Sequence, residues 1–214
     1  MKFLCLDMVM RLETHVVPDK FTEKVSIAFD YDFDGKSFFE LPSFLKPKEG
    51  FHLGAIVGSS GSGKSQILKH HFSFTEPSVE WNSQKAIVSH FDTPDIALEK
   101  LFASGISSVP TLCKPYHVLS NGEKYRAYVA RVIGDNCIID EFTSVVNRET
   151  AKSLSVSLSK YIRKTNIKNV VLSSCHRDIL DWLEPDWVFD CDSNEIHNQD
   201  VRSNLKRVAK VEIY

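Results

Sequence analysis

The run Gly58-Ser-Ser-Gly-Ser-Gly-Lys64-Ser65 is where residue types and spacing point most directly to chemistry. It fits the pattern G-x-x-x-x-G-K-[ST] at every position. Gly58, Gly61 and Gly63, with Ser59, Ser60 and Ser62 between them, let backbone N–H groups turn inward and cradle phosphate oxygens. A helix opening near Lys64 adds its positive end to the same anion site, where Gln66 also stands. Lys64 suits the β- and γ-phosphates of a nucleoside triphosphate, and the Ser65 hydroxyl suits the accompanying magnesium ion. Downstream, Cys137-Ile-Ile-Asp140-Glu141 ends an apolar run in two carboxylates. The first is of the type that holds magnesium; the second is of the type that orients or deprotonates an attacking water. Acidic residues after strands are common, so this pair takes its meaning from the glycine-rich loop upstream.

Between the two lies Leu119-Ser120-Asn121-Gly122-Glu123-Lys124. Ser120 and Glu123 have capping-box spacing, and a serine hydroxyl beside a glycine backbone at a helix N-terminus makes a second anion site. This hexapeptide resembles the signature of the ATP-binding cassette (ABC) ATPases, usually Leu-Ser-Gly-Gly-Gln or Leu-Ser-Gly-Gly-Glu. Other landmarks of that family follow in order. Phe142-Thr-Ser144-Val-Val-Asn147 resembles the D-loop, usually Ser-Ala-Leu-Asp, and Ser174-Cys175-His176-Arg177-Asp178 resembles the switch-histidine segment. The resemblance runs from about Val25 to Asp190. It implies a P-loop NTPase of ABC type: an α/β fold with a mainly parallel core sheet, an N-terminal antiparallel β subdomain and a short helical subdomain. It also implies ATP as substrate with Mg2+, and a homodimer or ABC-type heterodimer that closes on ATP. Ser120, Asn121, Gly122 and Glu123 would reach the γ-phosphate held by the partner copy. Glu141 would serve as base, His176 would position the water, and Lys64, Ser65 and Asp140 would hold the phosphates and the metal. Tyr31 or Phe33 would stack on adenine, although both equally fit a core strand.

The sequence departs from that family in several places. Where a glutamine normally ligates magnesium, Val88-Ser-His90-Phe91 offers His90, read either as a metal ligand or as a plain strand-end residue. Asn147 replaces the D-loop aspartate, and Asn121 replaces a glycine. The segment from about 92 to 118 is short for a transporter subunit, and no long heptad run is inserted. The Gly-Glu-Lys ending looks more like the soluble, nucleic-acid-associated members, such as the structural-maintenance and double-strand-break-repair ATPases. The expectation is a soluble ATPase driving a nucleic-acid or effector partner. The alternatives are a transporter's ATP-binding subunit and a weakly hydrolysing dimerisation switch.

These residues need elements to position them. Phe51 to Val57 is near-continuously apolar, as buried parallel strands are. Ala86 to Ser89, Cys137 to Ile139, Val170 to Ser173 and Trp187 to Asp190 read likewise as strands, alternating with helices at 95–102, after Ser120, and at 151–162. Val25 to Phe33 alternates apolar and polar, which predicts a strand with Tyr31 and Phe33 on one face; Asp34-Gly35 would turn it back into Phe38 to Leu41. A single domain over 1–214 is expected, with a β part to about 57 and a helical signature part at about 92–134. The 214 residues suffice for one core, and the formal charge of -2 gives no global basic field. Two basic clusters, Lys160, Arg163, Lys164 and Lys168, and Arg202, Lys206, Arg207 and Lys210, fit solvated faces better than nucleic-acid patches. Five scattered cysteines without zinc spacing read as reduced thiols of a cytoplasmic protein. No apolar run reaches the roughly 20 residues of a membrane span, and residues 1–13 read as an edge strand rather than a signal peptide.

Overall fold

The computed structural model describes residues 10–72 and 78–198, so Cys5, most of the N-terminal edge-strand reading and the basic cluster at 202–210 lie outside the described residues. The chain forms two compact units, Met1–Ser43 and Phe44–Tyr214.

In the first unit, β1 (Arg11–His15) pairs antiparallel with β2 (Lys36–Glu40), with α1 (Lys20–Phe29) between them in sequence. The strand expected over Val25 to Phe33 is therefore a helix followed by a turn. Its cause is a capping box that the alternation concealed. Asp19 accepts from the backbone N–H groups of Phe21 and Thr22 at 3.0 and 2.9 Å, while the Thr22 hydroxyl accepts from the Asp19 N–H at 2.8 Å. Phe21, Val25 and Ala28 also satisfy helical spacing, and Asp30 stops the helix in the left-handed region. Asp34-Gly35 does turn the chain, but β2 returns against β1. Tyr31 and Phe33 share no strand face; Tyr31 is an exposed ring in the turn and Phe33 is half-buried.

In the second unit, β3 (Leu53–Val57) leads through the glycine-rich loop into α2 (Lys64–His71). Then come α3 (Pro94–Ala103), α4 (Val109–Leu112), α5 (Asn121–Val132), β4 (Ile138–Ile139), α6 (Arg148–Lys164), β5 (Val170–Ser174), α7 (Leu180–Leu183), β6 (Trp187–Asp190) and β7 (Glu195–Asn198). The sheet order is β4-β5-β3-β6-β7, with the first four strands parallel and β7 antiparallel to β6. Every residue of β3, β4 and β5 is buried, as a sheet covered on both faces requires. Leu53, Ala55, Val57, Ile139, Val170 and Leu172 form the core with Leu154, Leu158 and Ile162 of α6. A second cluster joins α3, α4 and α5 through Ala97, Leu101, Leu112, Ala127 and Ala130.

Ala86 to Ser89 is not the expected strand. Ile87–His90 is a 3-10 turn, and Ala86 keeps only a single bridge to Pro115. The Ser89 N–H and a His90 ring nitrogen both reach the Ala86 carbonyl, at 3.0 and 2.9 Å, and so curl the segment. Pro110 sits in the first turn of α4, where its missing N–H costs nothing. Among the described residues no helix is long and apolar enough to cross a membrane.

Gly54, in the middle of β3, leaves room for the buried Trp187 indole. A Cβ there would lie 2.1 Å from Trp187 Cζ2. Gly54→Ala must displace that ring, and a loss of about 1–3 kcal/mol in unfolding free energy is expected in denaturant titration. An unchanged midpoint would show that the indole moves freely.

Candidate functional site

Four parallel strands end at one edge, and that edge collects the chemistry. β3 runs out into Gly58, β4 into Asp140, β5 into Cys175-His176 and β6 into Asp190-Cys-Asp192. Ligands of open parallel sheets sit outside the carboxyl ends of strands. The sheet thus brings the glycine-rich loop, both carboxylates and His176 to the same side.

The loop is held from within and from outside. The Lys64 ammonium donates to the carbonyls of Gly58 and Ser59 at 2.9 and 2.6 Å. Gly61 and Gly63 take φ of 81° and 92°, which inward-turned amides demand. The N–H groups of Gln66 and Ile67 return to the Gly63 carbonyl at 3.0 and 2.9 Å, which starts α2. Ser59 is gripped by Asp192: its N–H lies 2.9 and 3.1 Å from the two carboxylate oxygens and its hydroxyl 2.9 Å from one of them. Cys191, packed against Gly58, is a buried thiol whose pKa burial pushes up to about 11.

Two adjacent serines hold the residues that leave β4 and β5. The Ser173 hydroxyl donates to Asp140 Oδ1 and accepts from the Glu141 N–H at 3.1 Å; that N–H also reaches Asp140 Oδ1 at 3.0 Å. The Ser174 hydroxyl donates to the Phe142 carbonyl at 3.0 Å and accepts from the His176 N–H at 3.1 Å. Both serines are buried, so one adjacent pair stitches the end of β4 to the turn at His176. The available signal was a polar pair ending an otherwise apolar strand. Glu141 has φ 51° and buried Thr143 has φ 71°, a left-handed conformation that a β-branched residue adopts only when its surroundings force it.

Ser120 caps α5 as expected. Its N–H and hydroxyl donate to Glu123 Oε2 at 2.9 and 2.8 Å, and Thr111 donates to Oε1 at 3.2 Å. The Ser120 backbone bond, first among these, holds the Glu123 carboxyl below the usual range. Asn121 and Gly122 form the first turn of α5. Among the described residues nothing requires glycine at 122 on steric grounds: an added Cβ would meet only Val146 Cγ1, at 3.8 Å. The same tip is tied to the D-loop-like segment through Tyr125, whose hydroxyl accepts from the Thr143 N–H at 3.1 Å. Asn147 caps α6, its Oδ1 accepting from Thr150 at 2.8 Å.

His90 departs from the ligand reading. One ring nitrogen contacts the Ala86 carbonyl at 2.9 Å, and Nε2 accepts from the Asn82 N–H at 3.0 Å, so the lone pair a metal would need is taken. The hard donors that remain for magnesium are the Ser65 hydroxyl and Asp140, whose hydrogen bonds converge on Oδ1. His90→Gln is therefore expected to change turnover less than twofold. A loss of tenfold or more would restore the ligand role. In the basic cluster, Arg163 is bound to Asp186 at 2.9 Å and to the Glu184 carbonyl, and Lys168 meets His52 at 3.0 Å, which leaves exposed Lys160 and Lys164.

No family model matches the sequence, and no curated protein matches it. Solved structures do match. The dimeric structure of MJ0796, a bacterial ABC transporter cassette, is 16% identical, covers 72% of this chain and 87% of that one, and has a TM-score of 0.53. The post-hydrolysis dimer of MJ0796 bound to ADP and Pi is 15% identical, covers 76% and 92%, and has a TM-score of 0.56. CbiO1 from Clostridium perfringens, part of the ABC transporter complex cbiONQ, is 18% identical, covers 81% and 88%, and has a TM-score of 0.55. All three are transporter cassettes, so the expected nearness to soluble repair-type ATPases gains no support from them. At these identities the likeness is one of architecture: the chain has the fold of an ABC-type ATP-binding cassette.

Proposed function

We propose that this chain binds ATP with Mg2+ on the 58–65 loop and hydrolyses it between two copies of itself. The observation that carries the reading is the shared edge of the sheet, where three adjacent strand ends deliver Gly58–Ser65, Asp140-Glu141 and His176 together. Ser65 and Asp140 would hold Mg2+, which neutralises charge on the phosphate oxygens when bound. Lys64, now on the loop's own carbonyls, would turn to the phosphates. Glu141 would take the proton of the attacking water and His176 would orient it. Gly122 supports the two-copy arrangement, because among the described residues its flank is left open to a group approaching from outside. Gly122→Ala is expected to stabilise the ATP-free chain by up to about 1 kcal/mol, through helix propensity, while weakening ATP-dependent dimerisation. Tighter dimers would count against a phosphate approaching that backbone.

The direct test is Lys64→Ala. ATP affinity, read by calorimetric titration, should fall at least about 100-fold, the scale of two charge-assisted hydrogen bonds. Wild-type-like binding would remove the reading. A soluble role driving a nucleic-acid or effector partner is the version we favour over a transporter subunit, because the helical part is short; turnover stimulated by DNA, and lost steeply with salt, would identify the nucleic-acid case. A weakly hydrolysing dimerisation switch is the second reading, favoured by the engaged His90 ring. Negligible turnover with intact ATP-driven dimers would select it.

A further inference from the structure

We propose that Arg177 and Asp178 are positioning residues that brace His176 between the phosphate-binding loop and the start of α6, a regulation of the site that rests on the function proposed above. Arg177 leaves the end of β5, whereas Asp190 and Asp192 leave the end of β6, and β3 lies between these strands. The guanidinium thus spans the exit of β3, where the loop begins. Its Nε and one terminal nitrogen contact the two oxygens of Asp190 at 3.0 and 2.8 Å, and the same nitrogen reaches Asp192 at 2.6 Å. Asp192 grips the N–H and hydroxyl of Ser59, and the Ser59 carbonyl receives Lys64. One line of charge-assisted contacts therefore runs from the switch turn to the lysine of the loop.

Asp178 pulls the other way. Its carboxylate accepts from Arg148 at Nε, 3.1 Å away, and in a second, shorter bond from a terminal nitrogen. Arg148 opens α6 directly after Asn147, its cap. Two adjacent residues of opposite charge thus tie one turn to opposite neighbours. His176 has its own backbone N–H on Ser174, so the turn at Arg177–Ile179 that follows fixes the direction in which the chain leaves it. The signs matter as well. A carboxylate at the shoulder of a polyphosphate site would repel its ligand, and Arg177, which bonds both aspartates, offsets one of their two negative charges. Its hydrogen bonds come first among the causes that hold Asp190 and Asp192 below the usual carboxylate range.

Exposed ion pairs that only decorate a surface change little. A brace predicts a split. In the full chain, Asp192→Asn should weaken ATP binding and raise KM roughly 3- to 10-fold with kcat held, the range left after solvent screening. Asp178→Asn should lower kcat by a similar factor with ATP affinity held. Arg177→Ala should do both, and Arg177→Lys should recover part of each. In Arg177→Ala with Asp192→Asn, the affinity loss should not exceed that of Arg177→Ala alone, because the two act through one contact chain. Thermal midpoints of the ATP-free variants separate these effects from unfolding. If wild type binds ATP and Lys64→Ala does not, yet these variants shift only the midpoint or their affinity losses add, the brace is wrong and the function stands. Should turnover be too slow to read, the affinity arm decides alone. Wild-type protein that binds no ATP would overturn both.

Discussion

Glu141→Gln is expected to lower kcat by about 10²–10⁴-fold while ATP binding persists and an ATP-bound dimer accumulates. The substitution keeps size and hydrogen-bonding reach and removes only the proton acceptor. The backbone at 141 is fixed independently of that side chain, through the Glu141 N–H on Ser173 and Asp140 and the Phe142 N–H on the Ser173 carbonyl at 2.7 Å. The left-handed turn at φ 51° makes no distinction between glutamate and glutamine, so the fold should survive. The expected record is a single turnover at best, with dimer and ATP co-eluting in gel filtration. A variant turning over within threefold of wild type would move the base elsewhere, and His176→Ala would then be the next substitution to measure. Ser173→Ala offers a graded counterpart. It removes the hydroxyl that holds Asp140 and the Glu141 N–H, so turnover should fall with both carboxylates still present.

Much of this arrangement was legible because several levels of sequence agreed. The loop spacing, the apolar strand before it and the helix after it made one statement about residues 53–71, and the structure follows it. The Ser120–Glu123 box and the apolar run at 137–139 were read in the same way. The failures came where two periods fit one stretch. Residues 25–33 carry period-two alternation while Phe21, Val25 and Ala28 keep helical spacing, and the short-range bonds of Asp19 and Thr22 decide between them. Ala86 to Ser89 is apolar enough for a strand but is curled by local bonds to its own first carbonyl. The partners of serines 173 and 174 and of aspartates 190 and 192 could not be read for another reason. Each acts through a residue distant in sequence, Asp140, Phe142, Arg177 or Ser59, and only the strand order of the sheet makes them neighbours.

The two-copy reading meets its hardest test at Ser120. Ser120→Arg should leave ATP affinity within about threefold of wild type and abolish ATP-dependent dimerisation, because a long cationic side chain would fill the helix tip that the partner's phosphate must reach. The substitution also removes an N-cap, which by itself costs about 0.5–2 kcal/mol. Ser120→Ala separates these causes. It loses the same hydroxyl, with its contacts to Glu123, but adds no bulk. If a weakened α5 were the reason for failed closure, alanine would fail as fully as arginine. If bulk and charge at the tip are the reason, alanine should dimerise more weakly than wild type and arginine not at all, with similar thermal midpoints for the two variants. Mixing Ser120→Arg with Lys64→Ala chains sharpens the result, since a mixed pair holds one ATP site made of an intact loop and an intact serine. Partial recovery of turnover on mixing is the expected outcome. An arginine variant that hydrolysed ATP at the wild-type rate as a monomer would show that each chain completes its own site, and the helix tip would then be only a well-capped helix.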